Sequence, residues 1–162
     1  MVLKEIALRL PNRPGTLAGV ARILAQERIN LAAISVDSSA GRGRVRLVVS
    51  DPERAEKLLK ASGFAVETHE LIAVHLEDRS GSFLRILDAL AQEHVNIQST
   101  AILIAREGSQ SLVALACDDT RRARSVLERG GFLSRGAEKI VSNRDLLAAA
   151  PTIPGESVGM LL

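Results

Sequence analysis

Two stretches of this chain carry residue types suited to capturing a small charged molecule: "LPNRPGTL" at residues 10–17 and "LEDRSGSF" at residues 76–83. Each places an Asn or Asp, an Arg and a Gly in a short turn that leads into apolar residues at helical spacing. The N–H groups of a helix's first turn have no partner within the helix and lie at its positive dipole end, so they favour an anion such as a carboxylate. Asn12 or Asp78 adds an oxygen that can accept from an ammonium group, so one turn offers partners to both ends of an amino acid zwitterion. Gly15 and Gly81 leave room for a ligand to approach the backbone. The plainer role of either turn is to reverse the chain, with Asn or Asp as a helix cap.

The two stretches are copies of each other. Gly81 follows Gly15 by 66 residues (81 − 15 = 66), and at that offset "LPNRPGTLAGVARILAQERINL" superposes on "LEDRSGSFLRILDALAQEHVNI", with Leu10 on Leu76, Arg13 on Arg79 and Asn30 on Asn96. A repeat of this length sets the architecture at two similar units. In copy one, Ile6, Leu8 and Leu10 alternate with Ala7 and Arg9, which predicts a strand with one buried face. Leu17, Val20, Ala21 and Leu24 form one stripe of an amphipathic helix. "INLAAISVD" and "RVRLVVSD" read as two strands of a hairpin whose glycines, in "SSAGRG", take positive φ. Asp51 caps a second helix that opens at Pro52, and Gly63 stops it before "FAVETHE" extends again.

Copy two repeats the order through "LIAVHLE", the stripe Phe83, Ile86, Leu87 and Leu90, "NIQSTAILIA", "SQSLVALACD" and a helix carrying Ala123, Val126 and Leu127. Its last strand is assigned to "AEKIVSNRDLLAA", with a short helix as the alternative. The βαββαβ order with right-handed crossovers predicts an α+β protein of two ferredoxin-like sandwiches, each an antiparallel sheet with its helices on one face. We expect domains at 1–70 and 71–147 and a mobile tail at 148–162. "VETHELIAVHLE" has no linker composition, so the last strand of copy one runs almost directly into the first of copy two.

Composition removes several function classes. The chain has 46% hydrophobic and 25% charged residues, which predicts a packed globular protein. A formal charge of +2 argues for neither a nucleic-acid nor a membrane partner. No apolar run approaches the roughly 20 residues that span a bilayer. A single cysteine, Cys117, and a start interrupted by Lys4, Glu5 and Arg9 place the chain in the cytoplasm, without a signal peptide.

The paired "N-R-P-G-T-L" and "D-R-S-G-S-F", each between a first strand and a first helix, with "INL" and "VNI" leading into the second strand, resemble the ACT domain. This is a family of regulatory modules named from aspartate kinase, chorismate mutase and prephenate dehydrogenase. The resemblance covers nearly the whole chain apart from the tail and is to small free-standing proteins made of two ACT domains. It implies a non-catalytic module without cofactor that binds an amino acid at an interface between ACT domains lying side by side. The turn of one domain and the start of strand two of its neighbour hold the ligand. Carried over by position, site one combines Asn12, Arg13, Pro14, Gly15, Thr16 and Leu17 with Asn96 and Ile97. Site two combines Asp78, Arg79, Ser80, Gly81, Ser82 and Phe83 with Asn30 and Leu31. The pairing falls within the chain or across a homodimer. Copy two departs from the family pattern at Ser80, in place of Pro, and at Phe83, in place of Leu, which favours site one.

Other chemistries have weaker support. An RNA-recognition motif shares the βαββαβ order, but its central strands carry stacking aromatics, and "RVRLVVS" and "SLVALAC" have none. Arg42, Arg44 and Arg46 share a strand face and read as a solvated charged edge. His69, His75, His94 and Cys117 lack metal-ligand spacing; on one strand His69 and His75 stand about 20 Å apart. No Ser–His–acid or Cys–His arrangement is evident, and Ser80 and Ser82 suit ligand donors or caps better than nucleophiles. An acylphosphatase-like enzyme would share the fold and use an Arg in such a turn, a part open to Arg13. The remaining alternative is an adaptor that docks on an amino-acid biosynthetic enzyme or on transcription machinery.

Overall fold

Backbone hydrogen bonding joins both copies into one sheet. The structure, a computed structural model, describes residues 2–39, 42–77, 79–107, 110–133 and Asn143. Copy one comprises β1 (Val2–Pro11), α1 (Thr16–Gln26), β2 (Leu31–Ser39), β3 (Arg42–Val49) and α2 (Pro52–Ala61). β4 (Val66–Glu77) follows, then α3 (Ser82–Gln92), β5 (Ile97–Glu107), β6 (Gln110–Cys117) and α4 (Thr120–Arg129). The strand order is β2-β3-β1-β4-β6-β5, and every neighbouring pair is antiparallel.

β4 is the hinge of the duplication. Its first half pairs with β1, from Val66 opposite Leu8 to Ile72 opposite Val2, and its second half pairs with β6, from Ile72 opposite Leu115 to Glu77 opposite Gln110. "FAVETHE" and "LIAVHLE", two strands in the sequence reading, are therefore one continuous strand that serves both copies. The strand and short-helix alternatives for "AEKIVSNRDLLAA", and the tail, lie outside the described residues except for Asn143, which is helical and not in a strand.

Side-chain alternation sends each strand's residues to two different cores. Ile6, Leu8 and Leu10 of β1 and Val45, Leu47 and Val49 of β3 pack under α1 and α2 with Val20, Leu24, Ala55 and Leu59. Ile72, Val74, Val113 and Leu115 pack in the same way with Ile86, Leu90, Ala123 and Leu127 of α3 and α4. The opposite face also closes: Leu3, Ala33, Val48, Leu71, Ala73, Leu103, Leu112 and Ala114 form a third core, and β2 approaches β5. The sheet thus folds over on itself, with α1–α4 outside and leucines, alanines and a valine inside. Burying a Leu such as Leu3, Leu71 or Leu112 contributes about 1.5–3 kcal/mol.

This inner face differs between the copies. At the 66-residue offset Glu5 corresponds to Leu71, Arg9 to His75 and Asp37 to Leu103. In copy one the face carries a buried carboxyl, Glu5, directly across from His69 and two rungs from Arg46. Burial pushes the Glu5 carboxyl above the usual carboxylate range, against the opposing pull of Arg46 and His69. Arg46 is not the solvated arginine expected: its guanidinium bonds Asp37 at 2.7 Å and its Nε is buried.

Helix ends follow local chemistry. Asp51 and Asp119 accept from the Arg54 and Arg122 N–H groups at 3.2 and 2.9 Å and cap α2 and α4. Gly63 and Gly131 end these two units at φ 87 and 71. In the hairpin glycines the expectation fails: Gly43 lies within β3 without positive φ, while Gly41 is outside the described residues. The three phenylalanines serve the cores, Phe64 in copy one and Phe83 and Phe132 in copy two.

Candidate functional site

The two turns are built alike, bond for bond. In copy one the Arg13 N–H donates to Pro11 O at 2.9 Å and the Thr16 N–H to Arg13 O at 3.3 Å; in copy two Arg79 donates to Glu77 O at 2.8 Å and Ser82 to Arg79 O at 3.2 Å. Gly15 and Gly81 occupy the N-cap positions of α1 and α3 in the left-handed region, at φ 86 and 84. A Cβ at either would meet no heavy atom within 4 Å. The backbone conformation, and not crowding by neighbours, is what requires glycine there.

Among the described residues, neither α1 nor α3 has a side-chain cap hydrogen bond at its first turn, in contrast to α2 and α4. Asn12 therefore does not act as the cap that the plainer reading gave it. Asn12, Arg13, Pro14, Gly15 and Leu17 are exposed and Thr16 is half-buried, so the N-terminal N–H groups of α1 open to the surroundings. In copy two Arg79, Ser80 and Gly81 are exposed, and Asp78 is outside the described residues. Ser82 is 9% exposed, and its hydroxyl has no hydrogen-bond partner among the described residues. Phe83 turns into the core of copy two, while its counterpart Leu17 is 36% exposed.

The strand-two starts are also duplicated. The Asn30 N–H donates to Ser50 Oγ at 3.0 Å, and the Ser50 N–H returns to Asn30 O at 2.9 Å. Asn96 and Asp118 make the same reciprocal pair, both bonds at 3.0 Å. Both main-chain groups of each asparagine are thus committed, and the following Leu31 and Ile97 are partly buried against the cores of copies one and two. An open cleft of about 460 Å³ borders the copy-one start, lined by Glu27, Arg28, Ile29, Ser50, Asp51 and Arg54.

Sheet register separates each turn from the asparagine assigned to it within this chain. Ile97 pairs with Cys117, which two rungs past the Leu115–Ile72 pair falls level with Glu70 and hence Lys4. Asn12 lies eight residues beyond Lys4 (12 − 4 = 8), about 26 Å along the strand at ~3.3 Å per residue. Leu31 pairs with Val49, also level with Lys4 and Glu70, and Glu77, the last residue of β4, lies seven residues beyond Glu70 (77 − 70 = 7). Measured along the strands, the copy-one turn and Asn96 stand at different levels of the sheet.

Burial pushes the Cys117 thiol up to about 11, which keeps it protonated at neutral pH. Among the described residues no group of three or more His, Cys, Asp or Glu side chains could hold a metal. No helix among them is long and apolar enough to cross a membrane.

Two glycine-opened helix starts in a duplicated βαββα frame with a shared strand define a tandem pair of ferredoxin-like modules. The family model described as an ACT domain pair matches residues 1–141, and the chain belongs to that family. Among solved structures, protein BT0572 from Bacteroides thetaiotaomicron is 29% identical over 80% of this chain and 88% of its own, with a TM-score of 0.74. The regulatory subunit of aspartate kinase from Thermus thermophilus, in a ligand-free form, shares the fold at 18% identity, covering 78% and 89% of the two chains with a TM-score of 0.58. A structure of aspartokinase alpha and beta subunits does so at 20% identity, 78% and 90% coverage and a TM-score of 0.56. Among curated proteins none matches the sequence.

Proposed function

We propose that this chain is a non-catalytic regulatory module that binds a free amino acid and signals amino-acid status through its ACT pair. The observation that carries this reading is the contrast in capping: α2 and α4 have aspartate caps, whereas α1 and α3 present glycine-opened, uncapped first turns. In the pocket we infer, these N–H groups hold the ligand carboxylate, with the Ser82 hydroxyl as a further donor in copy two. Asn12 in copy one and Asp78 in copy two accept from the ammonium group. Leu31 and Ile97 contribute apolar wall to the opposite side.

Each pocket is completed by a second copy of the chain. The eight-residue offset of Asn12 within one chain supports this, as do the two end strands, β2 and β5, each with one hydrogen-bonded neighbour among the described residues. Their outward side chains Ile34, Val36 and Ile102 are 49%, 52% and 77% exposed, apolar surface suited to cover by a partner. Val36 and Ile102 are equivalent positions of the repeat (102 − 36 = 66), so a two-fold dimer buries both through related contacts. The adaptor reading draws on the likeness to the aspartate kinase regulatory subunit and would show as an enzyme that copurifies with the chain.

The test is a thermal-shift series against the twenty amino acids at millimolar concentration. A ligand that binds only the folded state raises Tm, by about 2.7 kcal/mol of stability at 100 times its Kd. One amino acid or a related group is expected to raise Tm in the wild type and to raise it less in Asn12→Ala, which alters the copy-one pocket alone. An unchanged Tm across the panel would contradict the reading.

A further inference from the structure

We propose that Asn143 is a positioning residue for the strand-two end of the pocket that contains Asn30 and Leu31, an assignment that rests on the amino-acid reading above. Asn143 is 4% exposed, and its side chain is spent entirely on backbone of copy one. Its Oδ1 accepts from the Lys4 N–H at 3.0 Å, and its Nδ2 donates to Lys4 O at 2.9 Å and to Val49 O at 2.8 Å. One acceptor and two donors match these three groups, so the amide acts as an extra peptide at the place where the β1–β3 ladder stops. The last rung of that ladder is Glu5 opposite Val48, and Lys4 and Val49 come next.

Val49 connects this amide to the proposed pocket. It pairs with Leu31 across β2 and β3, and the next residue, Ser50, holds both main-chain groups of Asn30. β2 has a register shift between Leu31 and Ala33, so regular pairing is interrupted beside the residues that face the ligand. Asn143 fixes the strand on which this interrupted segment rests. It lies 94 residues from Val49 and 139 from Lys4 along the chain, beyond α4 of copy two. Copy two's trailing segment thereby supports a site element of copy one, and a change in the seating of Asn143 changes how Asn30 and Leu31 are presented.

Residue-resolved hydrogen exchange on the full chain tests this, with Asn143→Ala and with Asn143→Asp, which keeps the size and the acceptor but loses both donations. In each variant the Asn30 and Leu31 amides are expected to exchange about ten-fold faster, while the equivalent Asn96 and Ile97 amides keep their rates. Equal acceleration in both copies would reveal general destabilisation and overturn the assignment, as would unchanged exchange at Asn30 and Leu31. In calorimetric titration Asn143→Asp should weaken one of the two sites about ten-fold and leave the other; equal effects on both sites would overturn it. If the wild type binds no amino acid while the exchange pattern appears, the amino-acid reading fails and the control of strand two by Asn143 stands.

Discussion

Left-handed glycines open the first helix of each copy, and left-handed arginine and histidine close it. Arg28 and His94 are equivalent in the repeat (94 − 28 = 66) and take φ 55 and 56, with Ile29 and Val95 donating back to Leu24 O and Leu90 O. Glycine is the favoured residue there, because a Cβ in this conformation costs about 1–2 kcal/mol. His94→Gly should raise stability by about 0.5–1 kcal/mol in denaturant titration, part of the relief being lost to the freer unfolded chain. Gly15→Ala should lower it by about 1–2 kcal/mol by the same steric argument. Glu5 carries a pH signature. Its folded pKa is raised by burial, so its contribution is fully present below the unfolded carboxylate pKa and is lost as pH rises through the raised value. Glu5→Gln should therefore be more stable than the wild type at pH 7, and the gap should narrow as pH falls toward 4. Residues of this kind were the least legible in the sequence: nothing in "VLKEIALRL" separates a buried Glu5 from an exposed Lys4, because burial there comes from the fold of the sheet. Asn143 bonds backbone groups remote in sequence, a partnership that leaves no local pattern.

At the scale of elements, the sequence signals were local and the structure follows them. Asp51 followed by Pro52 marked the start of α2, and the apolar stripes marked the buried faces of α1 and α3 through Val20, Leu24, Ile86 and Leu90. The turn residues were legible as a pair because they recur at a fixed offset in the same topology. What could not be read was the role of Asn12, since an asparagine ahead of a helix is equally a cap or a ligand group until its hydrogen bonds are known. Two substitutions separate these roles. Asp51→Ala should cost about 1 kcal/mol through loss of the α2 cap. Asn12→Ala, with no cap bond to lose, should leave Tm within about 1 °C of the wild type without ligand, since uncapped surface changes stay within roughly 0.5 kcal/mol.

At the scale of the whole molecule, alternation along β4 predicted strand but not that one strand serves two copies, because a period-2 pattern does not reveal its partners. The third core was hidden for a related reason: Leu3, Leu71 and Leu112 occupy the face that a lone ferredoxin-like unit leaves to solvent or partners. Folding the sheet over fills that face within the chain and leaves Ile34, Val36 and Ile102 outside. If these residues cover a second copy, Ile102→Asp should convert a dimer into a monomer in light scattering without loss of folded signal. A wild type that is monomeric at the same concentration would contradict the two-copy pocket.

Calorimetric titration of the wild type with the amino acid found by thermal shift, repeated with Asn12→Ala, tests the central claim most directly. The account predicts saturable binding with one or two sites per chain at micromolar to millimolar affinity, weakened at least ten-fold by Asn12→Ala while Tm without ligand is unchanged. Binding of equal affinity in Asn12→Ala, or no heat with any of the twenty amino acids, would contradict the assignment of the uncapped turns as the amino-acid site.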